Sequence, residues 1–465
     1  MKHSANKKPN IVFLIADDHR FDSLGAYGNP DVQTPALDRL AVDGVLFKSI
    51  YTMGGQTAAL CVPSRASLMT GANVFKATVS DREVTLKETE NRELWKLNPE
   101  LTTLPEALRR DGYRTYGIGK WHNGAESFAR SFTGGASIFF GGMGDHIGLP
   151  IHDFDPSGVY PAEAAYPSKA FSSELFADSA IKIIEGEGEK GQEQDEPFFL
   201  YLAFTAPHDP RTPPPSFLDL YPPEQIPLPD NFMPEHPFDN GELHVRDEQL
   251  ASLPRKPEEI QQQLAEYYSM ITHMDAQIGR IMEALEASGQ LDHTIVVYTA
   301  DHGIALGQHG LLGKQNLYEH SIHIPLLMQG PGLPRGMQVS GLGHQMDIYP
   351  TLCELIGTAC PDTVEGSSLV PLLENSFSVV RESVFSAYKL AQRMVSDGRW
   401  KLIRYYRSGE VGTDRTQLFD LQGDPWETRS LAEDPETQAQ LSQLDKELIR
   451  WQLRVQDPIL QRIHP

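Results

Sequence analysis

The sequence predicts an α/β fold, in which a large and mostly parallel sheet is flanked by helices. Three observations lead to it: four apolar runs that end in charged residues, helical patterns between those runs, and a change of pattern late in the chain. The chain has 465 residues, which is more than one hydrophobic core usually supports. We therefore expect two domains, a large one over residues 1–373 and a small α+β one over residues 374–465.

Four runs rich in β-branched and aromatic residues indicate the strands of the sheet. Each is apolar along its length, as in strands buried on both faces, and each ends abruptly in charged or imidazole residues. The four runs are NIVFLIADDH, YRTYGIGKWH, PFFLYLAFTAPHD and TIVVYTADHG. Because ligands bind beyond the carboxyl ends of strands in open α/β sheets, we expect these polar clusters to converge in one crevice.

Helices are predicted between these strands. In TTLPEALRRDGY, Pro105 stands near the start and Gly112 follows the end, which is typical of helix boundaries. Residues 261–288 place a stripe of apolar side chains at helical spacing. The Pro-rich and acidic stretch 209–257 is predicted to be a long irregular insertion over one side of the crevice.

The pattern changes after about Glu374. RMVSDGRWKLIRYY and TQLFDL alternate as half-exposed strands do, and QAQLSQLDKELIRWQLRV follows with helical spacing. The C-terminal domain is therefore expected to hold a short antiparallel sheet and one closing helix.

The composition excludes several classes of protein. Lys plus Arg number 40 against 63 Asp plus Glu, a formal net charge of -23, which argues against a protein that coats nucleic acid or an anionic membrane. An anionic small substrate would require a local cluster of cations. No apolar stretch is long enough for a signal peptide or a membrane span, and three cysteines are too few for a disulfide framework. The expected compartment is the cytoplasm, or the periplasm if a signal has been removed.

Asp17 and Asp18 are adjacent acids at the end of a predicted buried strand. There they would repel each other and lose hydration unless a cation holds them. Asp301 and His302 end another such strand, so the two pairs together predict a site for one divalent metal. Oxygen-rich ligation favours Ca²⁺ or Mg²⁺, and the imidazole leaves Mn²⁺ open. Each pair alone is equally consistent with a turn or a helix cap.

Further basic and imidazole residues follow the other strands. Lys120 and His122 are two apart in GIGKWHNG, so on an extended chain both side chains project from the same side. His208 follows a strand in TAPHDP, and Lys314 lies between a Gly-rich turn and a helix start. Each of them, taken singly, is also consistent with a solvated loop residue.

Cys61 opens the predicted helix of CVPSRASLMTG, which ends at Gly71. A cysteine there lies at the positive end of the helix dipole, and Arg65, four residues later, lies on the same face. The position therefore suits negative charge and a nucleophile. Two interpretations stay open on these grounds: a buried inert thiol, and a thiolate nucleophile with His122 or His208 as its base.

The run CVPSRASLMTG resembles the sulfatase signature, in which Cys-x-Pro-Ser-Arg directs oxidation of the cysteine to Cα-formylglycine. The resemblance extends in order over most of the chain, through NIVFLIADDHRFDSLGAYGN, TPALDRLAVDGVLF, GIGKWHNG, APHDP, TADHGIALGQHGLLGKQNLYEHSIHIPLL and FDLQGDPWETRSL. By these motifs the chain is identified as a member of the type I sulfatases of the alkaline phosphatase superfamily. The resemblance implies an alkaline phosphatase-like fold and a sulfuric ester hydrolase.

The resemblance also implies a metal site. Asp17, Asp18, Asp301 and His302 match the family's metal ligands, usually for Ca²⁺, and the modified Cys61 adds an oxygen. Many sulfatases carry Asn where this chain has His302. The Asp-His version resembles iduronate-2-sulfatase-like enzymes and the related phosphonate monoester hydrolases.

The remaining motifs imply catalytic roles. Arg65, Lys120 and His122 match residues that position the aldehyde hydrate, while His208 and Lys314 match those that hold the sulfate and assist the leaving oxygen. Lys120 is also expected to contact the substrate. One hydroxyl of the hydrate would attack sulfur, and the second, deprotonated by His122, would re-form the aldehyde and expel sulfate. The implied partners are a sulfate ester or sulfated oligosaccharide and a formylglycine-generating maturation enzyme, with neither nucleic acid nor membrane.

The segment FGGMGDHIGLP is similar to segments of bacterial sulfatases of sulfated glycans, so a carbohydrate sulfate is the expected substrate. Two pairs are candidates to line a sugar subsite, with a plain loop as the alternative for each: Asp145 with His146, and His19 with Arg20. Two rival functions remain. One is a phosphonate monoester or phosphodiester hydrolase of the same superfamily, and the other is a catalytically silent glycan-binding protein.

Overall fold

The computed structural model describes residues 7–80, 95–186, 196–375 and 378–460. Within these ranges the main sheet has nine strands: β1 Asn10–Ala16, β2 Val45–Tyr51, β6 Arg114–Lys120, β7 Gly134–Phe139, β10 Phe198–Ala203, β11 Thr294–Ala300, β12 His323–Gln329, β13 Met337–Val339 and β14 Gly343–His344. The second sheet has five: β3 Gly54–Gly55, β15 Val384–Tyr388, β16 Gln392–Ser396, β17 Trp400–Tyr405 and β18 Arg415–Asp420. Two small hairpins complete the described strands: β4 Thr78–Ser80 with β5 Trp95–Leu97, and β8 Pro150–Ile151 with β9 Tyr166–Pro167.

The main sheet runs in the order β13-β2-β12-β11-β1-β10-β6-β7, and β14 also pairs with β2. Its pairs are parallel except for β12, which is antiparallel to both β11 and β2. The four strands predicted from apolar runs are β11, β1, β10 and β6, and they lie side by side at the centre. The predicted α/β class with a mostly parallel sheet is confirmed.

Helices flank this sheet, and their bounds are α1 Pro35–Asp43, α2 Cys61–Thr70, α3 Val74–Ala77, α4 Leu104–Arg110, α5 Ala125–Ser131, α6 Ser172–Ile184, α7 Pro215–Leu218, α8 Pro257–Ala287, α9 Glu319–Ile322, α10 Ile348–Ile356, α11 Val370–Glu374 and α12 Gln438–Arg454. The predicted apolar stripe lies in α8, which packs on α1 and α6. In the part of the chain that the structure describes, no helix has the length and apolar character needed to cross a bilayer.

The end of the chain forms the second sheet, in which β15 to β18 are joined as an antiparallel meander and α12 packs on β16 and β17. The predicted small antiparallel sheet and its helix are thus present. One strand was not foreseen: β3, which precedes α2, pairs parallel with β15. The domain boundary at residues 373 and 374 stays a prediction.

Strand register determines which side chains meet at the carboxyl edge of the main sheet. Ala16 of β1 pairs with Ala300 of β11, so Asp17 and Asp301 follow neighbouring strands at the same level. Gly119 of β6 pairs with Ala203 of β10, which brings Lys120 to the same edge. All four central strands are buried along nearly their whole length, and this apolar packing makes their ends rigid supports.

Candidate active site

Three buried acidic side chains lie at the edge of the sheet, and each is held by a different cation. Lys120 contacts Asp17, Lys314 Nζ lies 2.8 Å from Asp18 Oδ1, and Arg65 Nε lies 2.9 Å from Asp301 Oδ2. All six side chains are almost completely removed from solvent. Buried charges persist only where they are paired, so the local cation cluster that an anionic substrate requires is present in this acidic chain.

One face of the cluster has the donor set of a metal site. Ligand atoms of Asp17, Cys61, Asp301 and His302 all lie within 4.8 Å of one another, and those of Asp17, Asp18 and His208 form a second such group. Among the described residues, Asp17 Oδ1 and Asp18 Oδ2 are buried without a hydrogen-bond donor. The predicted ligands are therefore brought together, and the site is compatible with a divalent cation.

The pKa shifts of Asp17 and His302 agree with a metal site. Burial and the neighbouring Asp301 raise the pKa of Asp17 well above its usual value, even though Lys120 opposes them. Burial lowers the pKa of His302, but Asp301, Asp18 and Cys61 together outweigh burial and raise that pKa to about 10. The cluster thus attracts positive charge, and a metal competes with protons for such ligands.

Cys61 begins α2, as predicted, and is 2% exposed. Burial raises the pKa of its thiol, but Lys120, Lys314 and a hydrogen bond with His122 together outweigh burial and bring the pKa well below its usual value. Ser64 holds the first turn of α2 in place, because its hydroxyl donates to the Asp301 carbonyl oxygen at 2.5 Å. The start of α2 is therefore a strongly anion-stabilising position.

His122 contacts Cys61, but its backbone is not extended as predicted. The spacing of Lys120 and His122 predicted two side chains on one side of an extended chain. Strand β6 ends at Lys120 instead, and His122 has a left-handed backbone with φ of 58°. Both side chains still act on Cys61, because the turn, and not strand alternation, directs His122 toward α2.

His208 faces Asp18, with Nε2 lying 3.7 Å from Oδ2. Its other ring nitrogen, Nδ1, lies 2.7 Å from the Asp209 carbonyl oxygen and 3.3 Å from Asp209 Oδ1. Burial lowers the pKa of His208, and Asp18 partly offsets this effect. The ring is therefore fixed at one nitrogen and presents the other to the cluster.

Several supporting residues were not identified from the sequence. Arg246, in the predicted insertion 209–257, makes a bidentate contact with Asp209 at 2.6 and 2.7 Å and also contacts Asp247. Asp247 Oδ2 accepts a hydrogen bond of 2.8 Å from Gln315, the neighbour of Lys314. The insertion thus links the loops that carry His208 and Lys314. Only the adjacency of Asp209 and Gln315 to candidate residues could have indicated this link.

The candidates for a sugar subsite are placed differently from one another. His146 is 1% exposed, and its ring nitrogens lie within hydrogen-bonding distance of Ser172 and of the His208 carbonyl oxygen. Asp145 is exposed beside it. His19 is buried against Tyr298, and Arg20 pairs with Asp22. These contacts make His146 a support for the His208 loop, and they give His19 and Arg20 partners within the protein.

A family model described as Sulfatase matches residues 9–358, and one described as N-sulphoglucosamine sulphohydrolase, C-terminal, matches residues 307–454. An N-acetylglucosamine-6-O-sulfatase of Bacteroides thetaiotaomicron is 27% identical over 515 residues, which cover 95% of this chain and 86% of the relative. The fold and the match to most of its length show that this chain belongs to the sulfatase family, and it is a sulfuric ester hydrolase.

Two solved structures share the fold. One is a protein in complex with its substrate D-glucosamine-2-N,6-O-disulfate, with a TM-score of 0.79, 24% identity, and coverage of 97% of this chain and 99% of the other. The second is a phosphonate monoester hydrolase of Agrobacterium radiobacter, with a TM-score of 0.75, 24% identity, and coverage of 96% of each chain. The predicted alkaline phosphatase-like architecture is confirmed.

Proposed function

We propose that this sulfatase releases inorganic sulfate from a sulfated sugar, with a formylglycine made from Cys61 as nucleophile and Ca²⁺ as its metal. The observation that carries the proposal is the set of buried cations around Cys61. Lys120, Lys314 and Arg65 surround this position in a chain whose net charge is -23. Because Asp17, Asp18 and Asp301 balance these three cations, a bound divalent metal would give the site the net positive charge that holds a small anion in an acidic protein.

Asp17, Asp18, Asp301 and His302 would hold the metal, together with an oxygen of the modified residue 61. A mainly oxygen donor set favours Ca²⁺, and Mg²⁺ or Mn²⁺ are the alternatives. When bound, a divalent cation lowers the pKa of a ligating hydroxyl and offsets charge on the sulfate oxygens. Arg65 would hold two of these metal ligands in place, because its guanidinium contacts Asp301 and lies 3.9 Å from Asp17.

Conversion of Cys61 to formylglycine requires a maturation enzyme as a partner of the newly made chain. A hydrated aldehyde supplies two hydroxyls, one to attack sulfur and one to release sulfate afterwards. The mass of the peptide that contains Cys61 tests this step. An active preparation in which that peptide carries only unmodified cysteine would rule the modification out.

The chain's own side chains complete the reaction. His208, held through Nδ1 by Asp209, presents Nε2 to donate a proton to the departing sugar oxygen. Lys314 stabilises charge on the same side of the sulfate. His122 contacts residue 61. It takes the proton of the second hydroxyl of the hydrate, and loss of that proton allows sulfate to leave. Lys120 and Arg65 orient the sulfate through their fixed positive charges.

The names of the similar proteins support a sugar as the alcohol part of the substrate. The test is sulfate release from a panel of sulfated mono- and disaccharides, among them N-acetylglucosamine 6-sulfate, beside 4-nitrophenyl sulfate, a phenyl phosphonate monoester and a phosphodiester. We expect the highest kcat/KM on one sulfated sugar. Much faster turnover of the phosphorus esters would favour the phosphonate monoester or phosphodiester hydrolase. Tight glycan binding without turnover, by protein that carries formylglycine, would favour a silent glycan-binding protein.

A further inference from the structure

Three consecutive charged residues contact both loops that carry His208 and Lys314. They are Arg246, Asp247 and Glu248, which open a short 3-10 helix. Asp247 and Glu248 are only 7% and 6% exposed, and carboxylates are buried to this degree only where they are paired or hydrogen-bonded. The contacts of these three residues, the 246–248 segment, therefore show what the segment holds in place.

Two side chains of the 246–248 segment hold the loop of Lys314. Glu248 accepts hydrogen bonds from the backbone N–H groups of residues 312–313, at 2.9 and 2.8 Å. Asp247 accepts one of 2.8 Å from Gln315. Hydrogen bonds to carboxylates are stronger than those between neutral groups. The chain is thus attached to the segment on both sides of Lys314.

Arg246 holds the loop of His208. Its guanidinium makes a bidentate contact with the Asp209 carboxylate, with N–O distances of 2.6 and 2.7 Å. The same carboxylate lies 3.3 Å from His208 Nδ1. A planar guanidinium fixes the orientation of a carboxylate as well as its position. The placement of Asp209, and of the imidazole beside it, therefore depends on Arg246.

The relative position of these two loops matters most for the departing oxygen. In the proposed function, His208 gives that oxygen a proton from Nε2, and Lys314 stabilises charge on the same side of the sulfate. Proton transfer requires a donor within hydrogen-bonding distance of the oxygen, and a misplacement of about 1 Å can lower the rate by about 10²-fold. A segment that fixes both loops also fixes this distance.

The contacts of Arg246 favour such a role over direct binding of the substrate. Its side chain is 45% exposed, but Nε, Nη1 and Nη2 each lie within 3.0 Å of a carboxylate oxygen. Asp209 and Asp247 thus balance its positive charge. Arg246 therefore offers little charge to a carboxylate or a second sulfate of the substrate.

We infer that Arg246 is a positioning residue, which acts through Asp209 to hold His208 at the leaving oxygen. Its importance then rises with the need of the leaving group for a proton. Phenol and sugar alcohols are weak acids and leave readily only when protonated, whereas 4-nitrophenol is a stronger acid and leaves as its anion. The inference rests on the proposed role of His208, and it holds for sugar and aryl sulfates alike.

The experiment compares kcat/KM of wild type and Arg246→Ala on phenyl sulfate and on 4-nitrophenyl sulfate. General acid catalysis contributes about 10²–10⁴-fold, so we expect a loss of roughly tenfold on phenyl sulfate and of less than about twofold on the nitrophenyl ester. Both esters present one aromatic ring without hydroxyl groups, so a difference between them reports proton transfer. Arg280→Ala is the matched control and should equal wild type, because the Arg280 side chain is also 45% exposed and pairs with Asp178 between α8 and α6.

His208→Ala provides the reference for this comparison. It should show the same dependence on the leaving group, with a larger loss on phenyl sulfate. In the double variant, Arg246→Ala should add less than about twofold to that loss, because a positioning residue has no effect once the group that it positions is gone. Arg246→Lys keeps the charge without the bidentate contact, so its loss should be intermediate. It replaces Arg246→Ala if thermal unfolding shows that the latter does not fold.

Three results would overturn the inference: equal losses on the two esters with Arg246→Ala, wild-type kcat/KM on both, or additive losses in the double variant. In each case a loss that depends on the leaving group in His208→Ala leaves the proposed role of His208 intact. Equal losses on both esters with His208→Ala contradict the proposed proton transfer itself, and the role of Arg246 with it.

Discussion

Lys314 Nζ lies 2.8 Å from Asp18 Oδ1, although 296 positions separate the two residues in the chain. Both are buried, and the carboxylate of Asp18 is the main group that raises the pKa of Lys314 well above its usual value against the effect of burial. The contact keeps a fixed positive charge beside Cys61 and His208. It therefore joins the metal side of the candidate site to the side that faces the substrate.

Replacement of Lys314 by Ala should lower kcat/KM on 4-nitrophenyl sulfate by roughly 10²-fold or more, the effect of removing one preorganised electrostatic group. The loss is expected because sulfate would lose a counter-charge and Asp18 would be left without its cation. Steady-state kinetics measure it. Lys76→Ala is the matched control, since Lys76 pairs with Glu365 at the exposed surface. A Lys314→Ala enzyme within threefold of wild type would contradict the assigned role.

Replacement of Cys61 by Ala should abolish sulfate release, because neither a thiol nor an aldehyde can then form at the start of α2. The chain provides its own control in Cys360, which is an exposed free thiol. Cys360→Ala should retain wild-type kcat/KM. Turnover by Cys61→Ala above the rate of the uncatalysed reaction would show that the nucleophile lies elsewhere.

Removal of metal should lower both activity and thermal stability. Without a cation, three carboxylates and an imidazole remain crowded in a buried site, and bound metal stabilises the fold by about 2.7 kcal/mol at a concentration of 100 times Kd. Differential scanning calorimetry before and after chelation, followed by addition of Ca²⁺, measures the effect. In Asp301→Asn the response to Ca²⁺ should be weaker. Identical melting curves of metal-loaded and verified metal-free wild type would argue against the site.

Asp275 predicts a pH dependence of stability outside the active site. Its carboxylate accepts hydrogen bonds from the backbone of Ala36 and Leu37 at the start of α1, and burial raises its pKa to about 7. Because the folded state holds this proton more tightly than the unfolded chain, the stabilisation is fully present below about pH 4. It is lost as the pH rises through about 7.

Urea unfolding of wild type and Asp275→Asn between pH 5 and 8 isolates this effect. The free energy of unfolding of wild type, relative to the variant, should fall with a slope of up to about 1.4 kcal/mol per pH unit and level off above pH 7. The difference between the two proteins is the informative quantity, because other groups titrate in both. A difference that does not change with pH would place the pKa of Asp275 near its usual value.

A buried group of three charged residues connects the second sheet to helix α9. Lys401 of β17 lies 2.9 Å from Glu319 of α9 and 2.7 Å from Glu427, and its side chain is completely buried. Lys401→Met should destabilise the protein by about 3–5 kcal/mol, because it leaves buried carboxylates without a cation. Chemical denaturation measures this cost. Arg399→Ala, which removes an exposed pair with Asp420, should cost no more than about 1 kcal/mol. Equal costs would contradict the argument from burial.

Much of the fold could be predicted because its signals are local. Apolar runs of strand length, such as the one that became β1, carry their own evidence of burial, and helix boundaries are marked by residues such as Pro105 and Gly112. The parallel pairing of β3 with β15 carried no such signal. Because β3 consists of only two glycines, it has no hydrophobic periodicity. It is recognised as a strand only through its pairing with β15.

The central strands, the acidic and basic residues at their ends, and the motif around Cys61 were all predictable from the amino-acid sequence. Their spacing along the chain is enough to recognise them. The contact of Lys314 with Asp18 and the left-handed turn that directs His122 toward Cys61 became visible only in the folded protein. These relationships depend on strand register and on the packing of loops distant in sequence, and hydrophobic patterning within one segment carries no information about either.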